Sequence, residues 1–392
     1  MADRPRQGLV LASLAAVAAL PLLAACTDNS SSADPAGQPD PRRLTVKATD
    51  TACTLSATTA PSGRLTFSVT NGGSTVTEFY LLQQDGKTIV GEMENIGPGL
   101  SRDLVVTAAT GSYVTACKPG MVGDGIRAAF TVTASDAEPT NADQELIAQA
   151  TEEYEDYVRA QTDHLVAATR EFTAAYKSGR HAQARHLYPR ARVYWERIEP
   201  VAESFGDIDP KLDLREADLE AGQAWTGWHR IEKDLWPARA HGYQQLSAAG
   251  RATYADDLTS TTKVLYDKAQ KLTITSDQIS NGARELMDEV ATGKVTGEEE
   301  YWSRTDLWDF QANVDGARAG FEALRPVLTQ RDPELEAAIA GRFDALQKLL
   351  DGHRVGDGFQ TYDALSKEQV KTLSDAVNAL SEPLSKLTAA VV

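Results

Sequence analysis

Two hydrophobic rhythms divide this chain. Between Arg43 and Ala134, apolar and polar residues alternate in short runs such as Leu65-Thr66-Phe67-Ser68-Val69 and Ala128-Ala129-Phe130-Thr131-Val132, the period-two pattern of half-buried strands. Turn signals at Pro61-Ser62-Gly63, Asn71-Gly72-Gly73, Asp85-Gly86, Gly97-Pro98-Gly99 and Gly111 separate the runs, and their regular spacing predicts a small β-sandwich over residues 43–135. From about Asn141 the spacing changes to three and four. Ile147, Ala150, Tyr154, Tyr157, Gln161, Leu165, Ala168, Phe172 and Tyr176 share one helix face, and Leu187, Ala191, Tyr194, Ile198, Val201 and Phe205 predict a second helix. Further helices, broken at Pro210, Pro237, Gly250, Gly293, Pro326, Gly352 and Gly356, make residues 143–392 an antiparallel bundle or two packed bundles. The expected fold class is therefore multidomain β plus all-α, with residues 136–142 as linker.

The start of the chain follows neither rhythm. Arg4 and Arg6 precede an apolar stretch, Leu9 to Leu23, that is short for a membrane span. It ends in Leu23-Ala24-Ala25-Cys26, which resembles a bacterial lipobox. Residues 1–25 are then expected to be a signal peptide and Cys26 the lipidated first residue of the mature protein. Residues 26–42, rich in Ser, Asp, Pro and Gly, would form a disordered tether. This places the protein outside the cytoplasm, held to the outer face of the cytoplasmic membrane by lipid.

Charge changes the picture next. The net charge of −17 argues against nucleic acid as a partner and favours cations. Beyond Cys26 only Cys53 and Cys117 remain. In an oxidising compartment they read as one disulfide, worth about 4 kcal/mol for a loop of this size; as free thiolates they would be metal ligands.

The stretch Trp225-Thr226-Gly227-Trp228-His229-Arg230-Ile231-Glu232 carries the candidate chemistry. Three residues apart on a helix, His229 and Glu232 leave the same face and can reach one ion. Glu196, Glu199 and Glu203, spaced three and four apart, form a stripe that could supply further oxygens from a neighbouring helix. Oxygen donors with one imidazole suit iron, manganese or zinc better than Cu(I).

Gly227-Trp228-His229-Arg230-Ile231-Glu232 resembles the G-x-H-x-x-E motif of imelysin-like domains. The run from Glu196 to Asp209, together with Gly297-Glu298-Glu299-Glu300-Tyr301 and Asp306-Leu307-Trp308-Asp309-Phe310-Gln311-Ala312-Asn313, is similar to EfeO-type iron-uptake proteins. The resemblance covers most of the chain. It implies a cupredoxin-like domain before an imelysin-like helical domain, and a role in capturing iron, as Fe2+ or Fe3+, for delivery to a membrane permease with a haem-peroxidase-type partner. It carries His229 and Glu232 onto the family's metal motif; Asp306 and Asp309 are weaker candidates. In the β domain, residues 43–135 hold no His, so a blue-copper centre of His, Cys and Met is not expected. The resemblance puts Glu78 at the early ligand position. Cys53, Glu78 and Cys117 could then form an auxiliary site for copper or another transition metal, with Met121, Glu92 or Glu94 as additions, unless the two cysteines form a disulfide.

Two other classes compete. Imelysin-like domains have been grouped with metallopeptidases, but there is no H-E-x-x-H, and the position four after His229 is Lys233. No nucleophile elbow or phosphate-binding loop appears either, and no enzymatic activity is expected. A binding module for a non-metal ligand such as a polysaccharide would use Trp225, Trp228 and Trp236 as a platform; aromatics at this spacing otherwise belong to a core.

Overall fold

The computed structural model describes residues 40–135 and 141–392; the expected signal peptide, Cys26 and most of the expected tether and linker lie outside them. Residues from Pro41 to Val392 form one compact unit. Nine strands come first: β1 (Arg43–Ala48), β2 (Cys53–Leu55), β3 (Thr59–Pro61), β4 (Gly63–Asn71), β5 (Thr77–Gln83), β6 (Ile89–Ile96), β7 (Ser101–Ala108), β8 (Gly111–Cys117) and β9 (Ile126–Thr133). They pair into two sheets, β2-β1-β4-β7 and β3-β9-β8-β5-β6. The β1–β4 and β3–β9 pairs are parallel and the other strand pairs of the two sheets antiparallel. Alternation decides which side chains enter the sandwich. Leu44, Val46 and Ala48 of β1 and Leu65, Phe67 and Val69 of β4 are buried. Phe67 packs across the sheets on Phe79 and Phe130, ring centroids 5.3 and 5.5 Å apart, the tilted and edge-on contacts aromatic quadrupoles prefer.

Among the described residues ten helices follow: α1 (Asn141–Lys177), α2 (His181–Glu196), α3 (Asp209–Asp213), α4 (Gly227–Leu235), α5 (Ala248–Ala269), α6 (Ser276–Thr292), α7 (Asp306–Arg331), α8 (Pro333–Asp351), α9 (Lys367–Leu384) and α10 (Leu387–Val391). Helix α1 packs along α2, α5 and α7, while α6 and α8 pack on both α7 and α9, so α7 belongs to both halves of the bundle.

Three expectations from the sequence change. The second predicted helix does not continue to Phe205: α2 ends at Glu196, and a 3-10 segment, Glu199–Phe205, follows with non-helical backbone at Val201. Pro200 explains the break, because it has no N–H to donate and disfavours helical backbone in the residue before it. The surroundings are shaped to this break. A Cβ on Gly282 of α6 would lie 1.8 Å from the Pro200 carbonyl oxygen, and one on Gly316 of α7 would lie 2.4 Å from that of Arg197. Conversely, Pro326 does not end a helix. It sits inside α7, where buried Phe321, Leu324, Val327 and Leu328 hold both flanks and tertiary packing offsets the lost hydrogen bond. Gly250 likewise lies in the first turn of α5, its N–H donating to the Ser247 hydroxyl.

Helix α6 joins the two regions. It runs against β6 and β7, where the Thr107 N–H donates to Asp277 Oδ2 (2.8 Å), Asn281 Nδ2 donates to the Val105 carbonyl (2.8 Å) and Arg102 pairs with Asp288 (3.0 Å). Backbone groups of edge strand β7 are thereby partnered rather than left as a template for another chain. Among the described residues, no helix is long and apolar enough to cross a membrane.

Candidate metal centre

Helix α4 is only nine residues long, and all of it except Lys233 is buried. It enters at Gly227, whose positive φ of 83° and close approach to the Leu212 carbonyl leave room only for glycine. His229, 1% exposed, is held between carboxylates on both ring nitrogens. Nε2 lies 3.3 Å from Asp213 Oδ1 and 3.2 Å from Glu299 Oε1; Nδ1 lies 3.4 Å from Glu232 Oε2 and 3.9 Å from Glu300 Oε1. Among the described residues, two groups of three donors already converge within 4.8 Å of one another, Asp213-His229-Glu299 and His229-Glu232-Glu300.

The two sides of the imidazole differ. On the Nδ1 side, Glu232 Oε1 accepts the Trp302 and Ser303 backbone N–H groups at 2.8 and 2.6 Å, and Glu300 accepts the Tyr188 and Ser303 hydroxyls at 3.1 and 2.6 Å. The Asp306 carboxylate, in turn, accepts the Glu300 N–H at 3.0 Å. On the Nε2 side, Asp213 and Glu299 line a cleft of about 420 Å³ that opens between the sandwich and the helices.

Arg192 of α2 is the cation at the centre of this group. Its guanidinium meets Asp213, Glu196, Glu299 at 3.0 Å, Glu300 at 2.8 Å and Asp309 at 3.4 Å, and it is fully buried. These charges pull the titrations apart. Burial raises the Asp213 carboxyl, but Arg192 and His229 outweigh it and hold Asp213 well below the ordinary range. Glu299 is brought down to about 2 despite burial, by Lys294 and His229. Burial and the Glu232 charge push Glu300 up. For His229, burial and Arg192 favour the neutral ring, yet hydrogen bonds to Asp213, Glu232 and Glu299 prevail and raise it well above its usual value.

The glutamate stripe takes other roles. Because α2 stops at Glu196, the three residues do not form one stripe along a single helix. Glu196 accepts from Asn313 (2.9 Å) and pairs with Lys294 (3.3 Å) and Arg192; Glu199 pairs with Lys294 (2.6 Å) and accepts from Asn313 (2.6 Å); Glu203 lines the cleft. Asp213, Glu299 and Glu300 stand beside His229 in their place. Glu299 and Glu300 fall within the similar stretch Gly297–Tyr301, which was the available signal for them; nothing in the spacing around Asp213 marks it. Asp306 caps backbone, and Asp309 faces Arg192 with both carboxylate oxygens lacking a hydrogen bond.

In the sandwich, Cys53 and Cys117 form a disulfide with Cα atoms 5.5 Å apart, linking β2 of one sheet to β8 of the other. Glu78 accepts from the Tyr80 hydroxyl (2.6 Å) and pairs with Lys118 (3.5 Å). In this oxidised form Cys53, Cys117 and Glu78 are therefore engaged with protein partners, whereas Glu92 and Glu94 line the cleft. Trp228 is core, packed on Phe172 and Tyr188; Trp236 also packs on Tyr188, and Trp225 lies against Trp302.

Fold and site together define a two-domain protein with a β-sandwich ahead of a helical domain that buries a His-carboxylate cluster. A model of the cupredoxin-like domain matches residues 14–132, and one of imelysin matches residues 150–387. An "Efem/EfeO family lipoprotein" of Staphylococcus haemolyticus is 45% identical over 244 residues, 61% of this chain and 82% of that protein. "Iron uptake system component EfeO" of Yersinia pseudotuberculosis is 34% identical over 88% of this chain and 90% of its own length. The Escherichia coli K12 protein of the same description is 34% identical over 91% and 93%. The chain belongs to the EfeO family.

Proposed function

We propose that this protein is an iron-binding component of an iron-uptake system, anchored in the cell envelope through Cys26, that captures iron and passes it to a membrane permease working with a haem-peroxidase-type partner. The observation that carries the reading is the Asp213-His229-Glu299 group: two carboxylates of depressed pKa and one imidazole nitrogen, converging on the wall of an acidic cleft. Iron is the cargo. His229 Nε2 with Asp213 and Glu299 would hold it, while Nδ1 keeps its proton for Glu232. In this arrangement the second acid of the His-x-x-Glu motif orients the ring, the familiar role of a carboxylate behind a metal-bound histidine. Glu232 is suited to that role because two backbone N–H groups fix it. The names of the relatives, which describe iron-uptake components and a lipoprotein, support both the cargo and the location. A non-enzymatic role fits a centre that offers a single imidazole among carboxylates and no second histidine.

Calorimetric titration of metal-free protein with Fe(II) under anoxia and with Fe(III)-citrate tests the reading. Micromolar or tighter binding in the native chain, lost in His229→Ala/Glu299→Gln, supports it. Equal binding by that variant refutes the assignment.

A further inference from the structure

Glu92 poses a separate question. On β6, a Cβ at the neighbouring Gly91 would strike Val106 of the opposite sheet at 2.5 Å. Gly91 therefore faces the sandwich interior, and Glu92 faces away from it into the cleft. The side chain is 6% exposed and lines both the cleft beside Asp213 and Glu299 and a narrow pocket next to it at Gly282, yet no described residue gives it a hydrogen bond or an ion pair. With no protein partner, its carboxyl end is left to water or a cation in the cleft. Its neighbours deepen the problem. Glu94 from the same strand, Glu203 from the segment after α2, and Glu285 and Glu289 from α6 surround the same space. The side chains of Glu94 and Glu203 likewise carry no hydrogen bond or ion pair. Of the nearby cations, Arg284 pairs with Glu285 and Lys294 with Glu196, Glu199 and Glu289, while Lys118 is held by Glu78 and Arg102 by Asp288, so none pairs with Glu92, Glu94 or Glu203.

We infer that this cleft is a second cation site, shared between the sandwich and the helical domain, in which Glu92 and Glu94 from one side and Glu203 and Glu285 from the other bind a hydrated divalent cation through oxygen alone. The donor set decides the class. Carboxylates without imidazole or thiolate select hard cations, and an acidic wall repels anionic chelates. The spacing decides the hydration. Among the described residues, the groups with three donors inside 4.8 Å all contain His229, so the interdomain carboxylates stand further apart. The cleft of about 420 Å³ holds an ion together with several of its waters, each of which occupies roughly 30 Å³ in the liquid. The site takes donors from both domains, so an ion there ties them together. It does not depend on the His229 assignment.

Ca(II) separates the two centres, because it accepts carboxylate and water oxygens and has little affinity for imidazole. Purified full-length protein, stripped with EDTA, is titrated with Ca(II) by calorimetry, and its melting temperature is recorded with and without the ion. One Ca(II) per chain is expected in the native protein and in His229→Ala, with binding at least tenfold weaker in Glu92→Gln/Glu203→Gln. The latter should melt higher than native protein in EDTA, since two unpaired carboxylates are gone, and this gain also shows that the variant folds. Absence of Ca(II) binding at millimolar concentration, undiminished binding in the Glu92→Gln/Glu203→Gln variant, or loss of the ion in His229→Ala would each overturn the inference. The first two results leave the iron reading standing.

Discussion

The cupredoxin-like sandwich and the α4 region hold similar raw materials for metal binding and dispose of them differently. At the cysteine pair of the sandwich, each donor is satisfied by another protein group: Cys53 by Cys117, and Glu78 by Tyr80 and Lys118. Around α4 the carboxylates outnumber the cations, and one imidazole is gripped from both sides. Donor residues become a centre only when the fold leaves them short of partners, and composition does not reveal which region does so.

The largest effect should come from breaking the α4 side. His229→Ala is expected to weaken Fe(II) binding by about 100-fold or more, since it removes a proposed ligand where loss of an outer partner alone costs ~10–100-fold; isothermal titration at pH 7 measures it. Glu232→Gln should then fall in that smaller ~10–100-fold range, and if it instead equals His229→Ala, Glu232 is itself a ligand. On the sandwich side, Cys53→Ser/Cys117→Ser should lower stability by about 2–5 kcal/mol, read by urea denaturation, with Fe(II) affinity at the α4 centre unchanged. A large loss of iron binding in that variant would collapse the contrast.

The smallest effect is a pH dependence at the boundary between the two regions. Burial, reinforced by neighbouring acids, raises Glu94 to about 8 and Glu203 to about 7. Burial likewise brings Glu285 to about 7 against the opposing pull of Arg284, while Lys118 also opposes the rise at Glu94 and Glu203. The folded state therefore holds these protons more tightly than the unfolded chain, whose carboxyls titrate near 4.5. Their contribution to stability is present below that value and is lost as pH rises through 7 to 8. In EDTA, the melting temperature should fall between pH 5.5 and 8.5, and Glu92→Gln/Glu203→Gln should flatten the slope. Asp213 and Glu299, with depressed values, act in the opposite sense at more acid pH, outside this window.

The sandwich was legible in the sequence because alternation in β1 and β4 maps directly onto burial, and α1 because its apolar stripe is long. The helix break at Pro200 was not, because the stripe through Ile198, Val201 and Phe205 remains apolar whether or not the backbone is helical: all three are buried in the turn and 3-10 segment that follow α2. The break also shapes the site, since a continuous helix would carry Glu199 and Glu203 along one face with Glu196. His229 and Glu232 are neighbours on one short helix, so spacing suffices to pair them. Asp213 and Glu299 come from segments 16 residues before and 70 after the histidine, and only the tertiary fold brings them to Nε2.

Arg192 gives the α4 centre a property beyond affinity. Its guanidinium already occupies the inner oxygens of Asp213 and Glu299, so on the proposed reading iron does not fill a vacancy; it takes over from a resident counter-ion. Loading is then an exchange of one cation for another, with an equilibrium set by the difference between two electrostatic attachments. The displaced arginine stays tethered within reach, ready to reclaim its carboxylates when the metal is drawn away by a partner.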